Sequence, residues 1–397
     1  MNIPVKDIIN ETEKILPEII KIRRWLHRHP ELSKQEFNTA KYISEYLKKL
    51  GIEHKTRIAK TGIVGLIPAP GDGKTVALRT DMDALPVMEQ TGLPYSSENK
   101  GVMHACGHDI HISCLLGTAT ILKKFQDKLR CNVKLLFQPS EETLPGGAIS
   151  MIKEGVLKNP DVDAIFGLHT DPDLPVGTIG VKKGPMMASA NNFQIKIIGK
   201  GGHGAHPHLT KDPILTAAEV VLALQKVVSR MTNPFSPAVL SFGTISGGSA
   251  SNIIPEEVEI VGTCRALDQE TADLFPQAIS RIVKGVTEGN GCTYKYRYIK
   301  GTPVLINEPV MTELVKKAAS EIIGNDNVIP IVGTMGGEDF AYFLQETRGS
   351  FFKLGVGKKD KIEYYLHSPF YIPDENSIKY GILTLVNIIN HFSDEKD

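Results

Sequence analysis

Apolar residues recur at helical spacing over 33–51: Phe37, Ala40, Ile43, Leu47 and Leu50 share one face ahead of Gly51, and Ser33 with Glu36 matches a capping box. The rhythm then changes. Short runs rich in branched residues, KTVALRTD (74–81), NVKLLFQ (132–138) and VDAIFGLH (162–169), read as buried strands separated by helix-like segments such as 110–126. That alternation predicts a mixed α/β sheet flanked by helices.

A second pattern begins near residue 187. FQIKIIG alternates as a strand, and DPILTAAEVVLALQKVVSR starts a helix with Asp212 as cap and Pro213 at its first position. PAVLSFGTIS and EEVEIVGTCRAL are two further strands, 270–288 a second helix and CTYKYRYI a last strand. The order β-α-β-β-α-β is that of a ferredoxin-like α+β unit. Helix and strand patterns resume with 310–324 and 350–357. The expected organisation is a larger domain of 1–186 and 303–397, interrupted by a smaller domain of 187–302.

Composition narrows the partners. In a chain of 397 residues, 45 Lys and Arg balance 45 Asp and Glu, which removes the positive field of a nucleic-acid binder. No run of about 18 apolar residues occurs, and the opening MNIPVKDIINETEK carries charges where a secretory signal needs an apolar stretch. A cytoplasmic protein acting on small molecules, with no membrane partner, is expected. The odd number of cysteines, five, spread over 106–292 argues for thiols rather than a disulfide framework.

Chemistry collects where the larger domain's strand-like runs end: Asp81 and Asp83 after the first, the turn GVMHACGHDIHIS with His104, Cys106, His108, Asp109 and His111, then Glu141 and Glu142, then His169. Ligands of open α/β sheets gather at the carboxyl ends of strands. Cys106, His108, Glu142 and His169 offer thiolate, imidazole and carboxylate donors, a mixture that suits zinc or a similar divalent ion in an open, catalytic site. Of the adjacent glutamates in PSEETLPGGA only one readily serves as ligand, which leaves the other as a general base for hydrolysis. Asp81 is a further candidate catalytic residue, though capping a turn would also explain it. His104 and His111 are read as partners of the ligands or ordinary loop residues, Cys114 as core, and His54 and His391 as without a role.

Taken in order, ALRTDMDALPV, GVMHACGHDIH, FQPSEETLPGGA, GLH, GKGGHGAHPHLTKDPI, SNIIPEEVEIVGTCR, GGEDF and LHSPFYIPDE resemble the M20 metallopeptidase family, and within it the amidohydrolase branch of hippurate, N-acyl-amino-acid and auxin-conjugate hydrolases. The resemblance implies two divalent ions per subunit, zinc first and manganese, cobalt or nickel as alternatives, held by Cys106, His108, Glu142, His169 and His367. It implies Cys106 as bridge, with His108 and His169 on one ion and Glu142 and His367 on the other. It also implies Glu141 as base, His203 as oxyanion donor, Asn252 and Arg265 as substrate-positioning residues, the larger domain as the metal-binding catalytic one with the smaller as lid or dimerisation element, and a homodimer or homotetramer. One departure stands out: the branch commonly has glycine directly after the paired glutamates, whereas Thr143, Leu144 and Pro145 precede Gly146 and Gly147 here. The expected reaction is hydrolysis of N-acyl amino acids. A carboxypeptidase or dipeptidase acting on short peptides is the nearer alternative, and a non-catalytic metal-binding protein the more distant one, disfavoured by Glu141.

Overall fold

The runs 75–81, 132–138 and 164–168 are buried on both faces, and such strands are stable only inside a sheet covered on each side. The computed structural model describes residues 3–71, 73–358 and 365–393 and divides the chain into two compact units. The larger comprises Met1–Gly184, Ile306–Val332 and Tyr342–Asp397, the smaller Pro185–Leu305 and Gly333–Ala341.

The larger unit is built on an eight-stranded sheet of β1 (Glu53–Ile58), β2 (Gly62–Ile67), β3 (Thr75–Asp81), β4 (Asn132–Gln138), β5 (Ala164–Pro175), β6 (Ile179–Val181), β15 (Val328–Pro330) and β16 (Gly349–Gly357). Their order is β1-β2-β4-β3-β5-β16-β6-β15. The central four strands run parallel, while β2 joins β4 and β6 joins β16 antiparallel, so the sheet is mixed. Its helices are α1 (Val5–Arg28), α2 (Phe37–Lys49), α3 (His108–Lys124), the short α4 (Ala148–Lys153), α7 (Pro309–Ile323), α8 (Ala341–Glu346), which starts at the unit boundary, and α9 (Ser377–Phe392).

Helix α3 is buried on nearly every side. Glycines set its approach to α9: a Cβ at Gly117 would collide with Ile382, and one at Gly381 with Cys114, so each helix lets a partner side chain into its own backbone. This confirms Cys114 as core. Among the described residues no helix is long and apolar enough to cross a membrane.

The capping box expected over 33–36 does not form. Helix α2 begins at Phe37, the Ser33 hydroxyl donates to Asp83 at 2.6 Å, and the Glu36 carboxylate accepts from the Ser140 N–H and the Thr61 hydroxyl. Tertiary partners outcompete the local cap. Strand β5 also runs past its expected end at His169 to Pro175.

The smaller unit is a four-stranded antiparallel sheet of β8 (Ser189–Ile198), β10 (Ala238–Ser246), β12 (Glu257–Ala266) and β13 (Thr293–Thr302), ordered β10-β12-β8-β13. Phe193, Ile195 and Ile197 alternate inward from β8 against α5 (Pro213–Lys226) and α6 (Gln269–Gly289). Asp212 caps α5 through the Ile214 and Leu215 N–H groups, as expected, and Asp268 caps α6 through Thr271. The chain order β8-α5-β10-β12-α6-β13 with this pairing is ferredoxin-like. A two-stranded ribbon, β9 (Gly202–His203) with β11 (Ile253–Ile254), completes it, and β7 (Gly184–Met187) and β14 (Leu305–Asn307) occur where the chain passes between units.

Candidate metal centre

Strand β3 ends in Asp81, and Asp83 follows two residues on. Both carboxylates are fully buried, which is stable only because every oxygen finds a donor. Asp83 accepts the backbone N–H groups of Glu141 and Glu142, each at 3.0 Å, and the Ser33 hydroxyl. It thereby fixes the turn after β4 that carries the paired glutamates. Ser140, just before them, has φ +59°, a left-handed conformation costly for a side-chain-bearing residue, and is held by the hydrogen bond of its N–H to Glu36. The sequence places Asp83 at the loaded turn without showing this task and offers Glu36 only as a capping residue; the Asp-x-Asp spacing at a strand end is the available signal for the first.

The αL residue Gly107 leads from Cys106 into α3, where any Cβ would meet the Thr170 side chain. His108 at the helix start turns its Nδ1–H to the Asp83 carbonyl at 2.7 Å, leaving Nε2 with no protein partner. His169 on β5 does likewise: Nδ1–H donates to the Thr170 carbonyl at 2.7 Å, and Nε2 lies 3.4 Å from Cys106 Sγ. Carbonyl anchoring of this kind aims the bare nitrogen of an imidazole at a cation. His367 sits in a turn with φ +67°, its N–H bonded to the Ala105 carbonyl at 2.8 Å and its half-exposed ring 3.5 Å from Glu142 Oε1.

Two donor sets result. Cys106, His108 and His169 form one, Cys106, Glu142 and His367 the other, each with candidate ligand atoms within 4.8 Å of one another, and Cys106 is common to both. A third set joins His108 to Glu141 and Glu142. Glu142 Oε1 and His108 Nε2, 3.8 Å apart, are buried atoms without a hydrogen-bond partner, the condition a bound cation relieves. Burial pushes the Glu142 carboxyl up to about 7, and burial with the nearby Glu142 charge raises the Cys106 thiol. Burial and the Lys353 charge lower His169, which keeps its ring neutral. These soft and hard donors together fit a pair of divalent ions.

His111 is excluded as a ligand by its bonds: Nδ1–H donates to Asp81 at 2.6 Å and Nε2 accepts the Thr170 N–H at 2.9 Å. Asp81 is shared between His111 and Arg79, whose Nη1 lies 2.8 Å away. Burial opposes charge on Asp81, but His108, His111 and Arg79 outweigh it and hold the carboxyl well below its usual range. His104 is buried with both ring nitrogens unpartnered, and burial lowers it to about 4.

The other candidates lie in the smaller unit. His203 pairs with Ile253 across the β9–β11 ribbon, and the Gly204 N–H donates to the Asn252 carbonyl at 2.8 Å, so His203 and Asn252 belong to one local structure. Arg265 lies on β12 with Nη1 3.4 Å from the Met335 carbonyl.

A mixed parallel sheet carrying a buried Cys/His/Glu cluster built for two cations defines the class of dinuclear metal-dependent hydrolases. The chain belongs to peptidase family M20/M25/M40, whose profile matches residues 77–391. It is 42% identical over 361 residues to N-acetyl-L-cysteine deacetylase of Bacillus subtilis, covering 91% of this chain and 85% of that one. Thermostable carboxypeptidase 1 of Saccharolobus solfataricus is 40% identical over 395 residues, 98% of this chain and 99% of the relative. Among solved structures, the YXEP protein of Bacillus subtilis, described as a dinuclear metal-binding peptidase of the M20 family, superposes with a TM-score of 0.83 at 34% identity, covering 95% of this chain and 98% of that one.

Proposed function

We propose that this protein is an amidohydrolase of the N-acyl-amino-acid branch, which cleaves the amide bond of N-acetyl or N-aroyl amino acids into an amino acid and a carboxylic acid. The observation that carries the reading is Cys106 common to two donor sets beside the adjacent Glu141 and Glu142. Cys106 would bridge two ions, His108 and His169 holding one and Glu142 and His367 the other, with zinc as first choice and manganese, cobalt or nickel as substitutes. When bound, the ions would polarise the amide carbonyl and acidify water.

The chain's own groups supply the rest. Glu141, its backbone fixed by Asp83, takes a proton onto its carboxylate from the attacking water and passes it to the nitrogen of the leaving amine. His203 is suited to donate to the oxyanion: its Nδ1 accepts the Ala205 N–H at 3.0 Å, which puts the ring proton on Nε2. Asn252 and Arg265 orient the substrate, Arg265 through the α-carboxylate. Asp81 acts through His111 and is a positioning residue.

Carboxypeptidase or dipeptidase action is the second reading, favoured by the 40% identity to a carboxypeptidase along nearly the whole chain. A panel of N-acetyl-amino acids, N-benzoyl-amino acids and dipeptides decides between them. Higher kcat/KM on the acyl amino acids is expected, and the reverse order selects the second reading. Self-association is proposed through the smaller unit, in which β10 is an edge strand and α5 exposes Leu215 and Leu222. Sedimentation should show a dimer or a tetramer.

A further inference from the structure

Lys353 lies on β16 directly across from His169 on β5, and registered residues of neighbouring strands share a face. The contact of the Phe351 ring with that of His169, centroids 6.4 Å apart, follows from the same register, since Phe351 precedes Lys353 by one full strand repeat. On its other side Lys353 pairs with Gly180 of β6, where a Cβ would collide with Leu174, Ile331 and the Lys353 Cβ itself. Glycine there makes room for the lysine stem. The side chain is only 5% exposed. Among the described residues its ammonium has neither a hydrogen-bond acceptor nor an ion-pair partner, and it is not one of the sealed polar atoms lacking a partner, so what little surface the residue keeps includes its head.

The nearest carboxylate, Asp171, feels the Lys353 charge but makes no hydrogen bond to it. Asp171 follows His169 by two residues on the same face, but its Oδ1 accepts the Asp173 N–H at 3.0 Å and no ion pair joins it to Lys353. A cation is therefore packed against an imidazole whose free nitrogen faces the Cys106 thiol. A lysine head held beside the cluster without a hydrogen-bonded partner is a ready receptor for an anion that arrives with the substrate.

We propose that Lys353 is a specificity residue whose ammonium receives a carboxylate carried on the acyl half of the substrate, so that the preferred substrates are amides of dicarboxylic acids. The inference rests on the amidohydrolase reading, in which Arg265 already serves the α-carboxylate and Lys353 calls for a second anion.

The test is calorimetric binding of two acyl products, succinate and acetate, to the metal-loaded full-length protein, in the wild type and in Lys353→Met and Lys353→Arg. The wild type should bind succinate about 10- to 100-fold more tightly than acetate, the range expected of one charge-assisted hydrogen bond. Lys353→Met should lose most of that preference and Lys353→Arg keep it, at equal metal content. A succinate preference that survives in Lys353→Met overturns the proposal, as does a wild type with none. Should Lys353→Met not fold, Lys353→Gln makes the same comparison. Binding and turnover separate the two claims: the expected binding ratios without hydrolysis of any acyl amino acid would sink the amidohydrolase reading alone, and hydrolysis of N-acetyl substrates without succinate preference would sink the role of Lys353 alone.

Discussion

On the proposed reading, single side chains in the centre divide into those that would hold the cations and those that aim them, and their hydrogen bonds differ accordingly. His108 and His169 each spend one nitrogen on a backbone carbonyl, while His111 spends both on protein partners. Glu141→Gln should therefore keep its metal and lose about 10²- to 10⁴-fold in kcat, the usual cost of removing a general base. Metal analysis beside steady-state kinetics checks this, and near-normal kcat would mean the base is misassigned. Asp83→Asn presents an amide NH₂ toward backbone N–H groups that now donate to carboxylate oxygens, so metal affinity should fall by about 10- to 100-fold, read by competition with a chromophoric chelator. Cys106, His108, Glu142 and His169 were legible because metal-capable residues are rare and cluster at strand ends. His367 was not, because a lone histidine in a loop near the chain's end carries no local signal and joins the others only through tertiary structure.

Among the elements, α1 holds the helix that carries His108. Arg23 Nε lies 2.8 Å from the Asp109 carboxylate with both side chains fully buried, and His27 on the next turn bonds Asp109 and Glu89. Removing one member of such a pair strands the other charge, so Asp109→Ala should cost about 3–5 kcal/mol, measured by denaturant unfolding. The same network sets an acid limit. Burial works against charge on Glu89, but His27, Thr91 and the Ser97 N–H prevail and lower its carboxyl to about 2. A carboxyl depressed in the folded state contributes stability above its unfolded value near 4.5 and loses it as pH falls toward 2, so acid unfolding should steepen across that window and Glu89→Gln should flatten it. Helix α1 itself went unread. Its apolar face runs through Ile8, Ile15, Ile19, Ile22 and Leu26 at helical spacing, but the interior Pro17 breaks the pattern to the eye. Strands β3 and β4 were legible nearly residue for residue because burial on both faces concentrates apolar residues in short runs, Val76, Ala77 and Leu78 in the first and Val133, Leu135, Leu136 and Phe137 in the second. The start of α2 was misplaced because Ser33 and Glu36 serve distant partners, which no local pattern records.

Across the whole molecule, the five proposed ligands span residues 106 to 367, so the unfolded chain cannot assemble them and cation binding is linked to folding. Adding metal to chelated protein should raise its melting temperature. Free metal at 100 times its Kd corresponds to about 2.7 kcal/mol. The ferredoxin-like alternation of the smaller unit was readable from its strand rhythm, whereas the return of Gly333–Ala341 to that unit was not, since nothing in a short glycine-containing loop says which neighbour it packs against. The central claim is that two cations bound at the Cys106 cluster make this protein an amide hydrolase. The direct measurement is N-acetyl-amino-acid turnover during stepwise return of zinc to metal-stripped protein, with bound metal counted at each step. Turnover should be absent at the start, rise with added metal and level off at two ions per chain. Full turnover in stripped protein, or activity that saturates with no metal bound at the cluster, would contradict it.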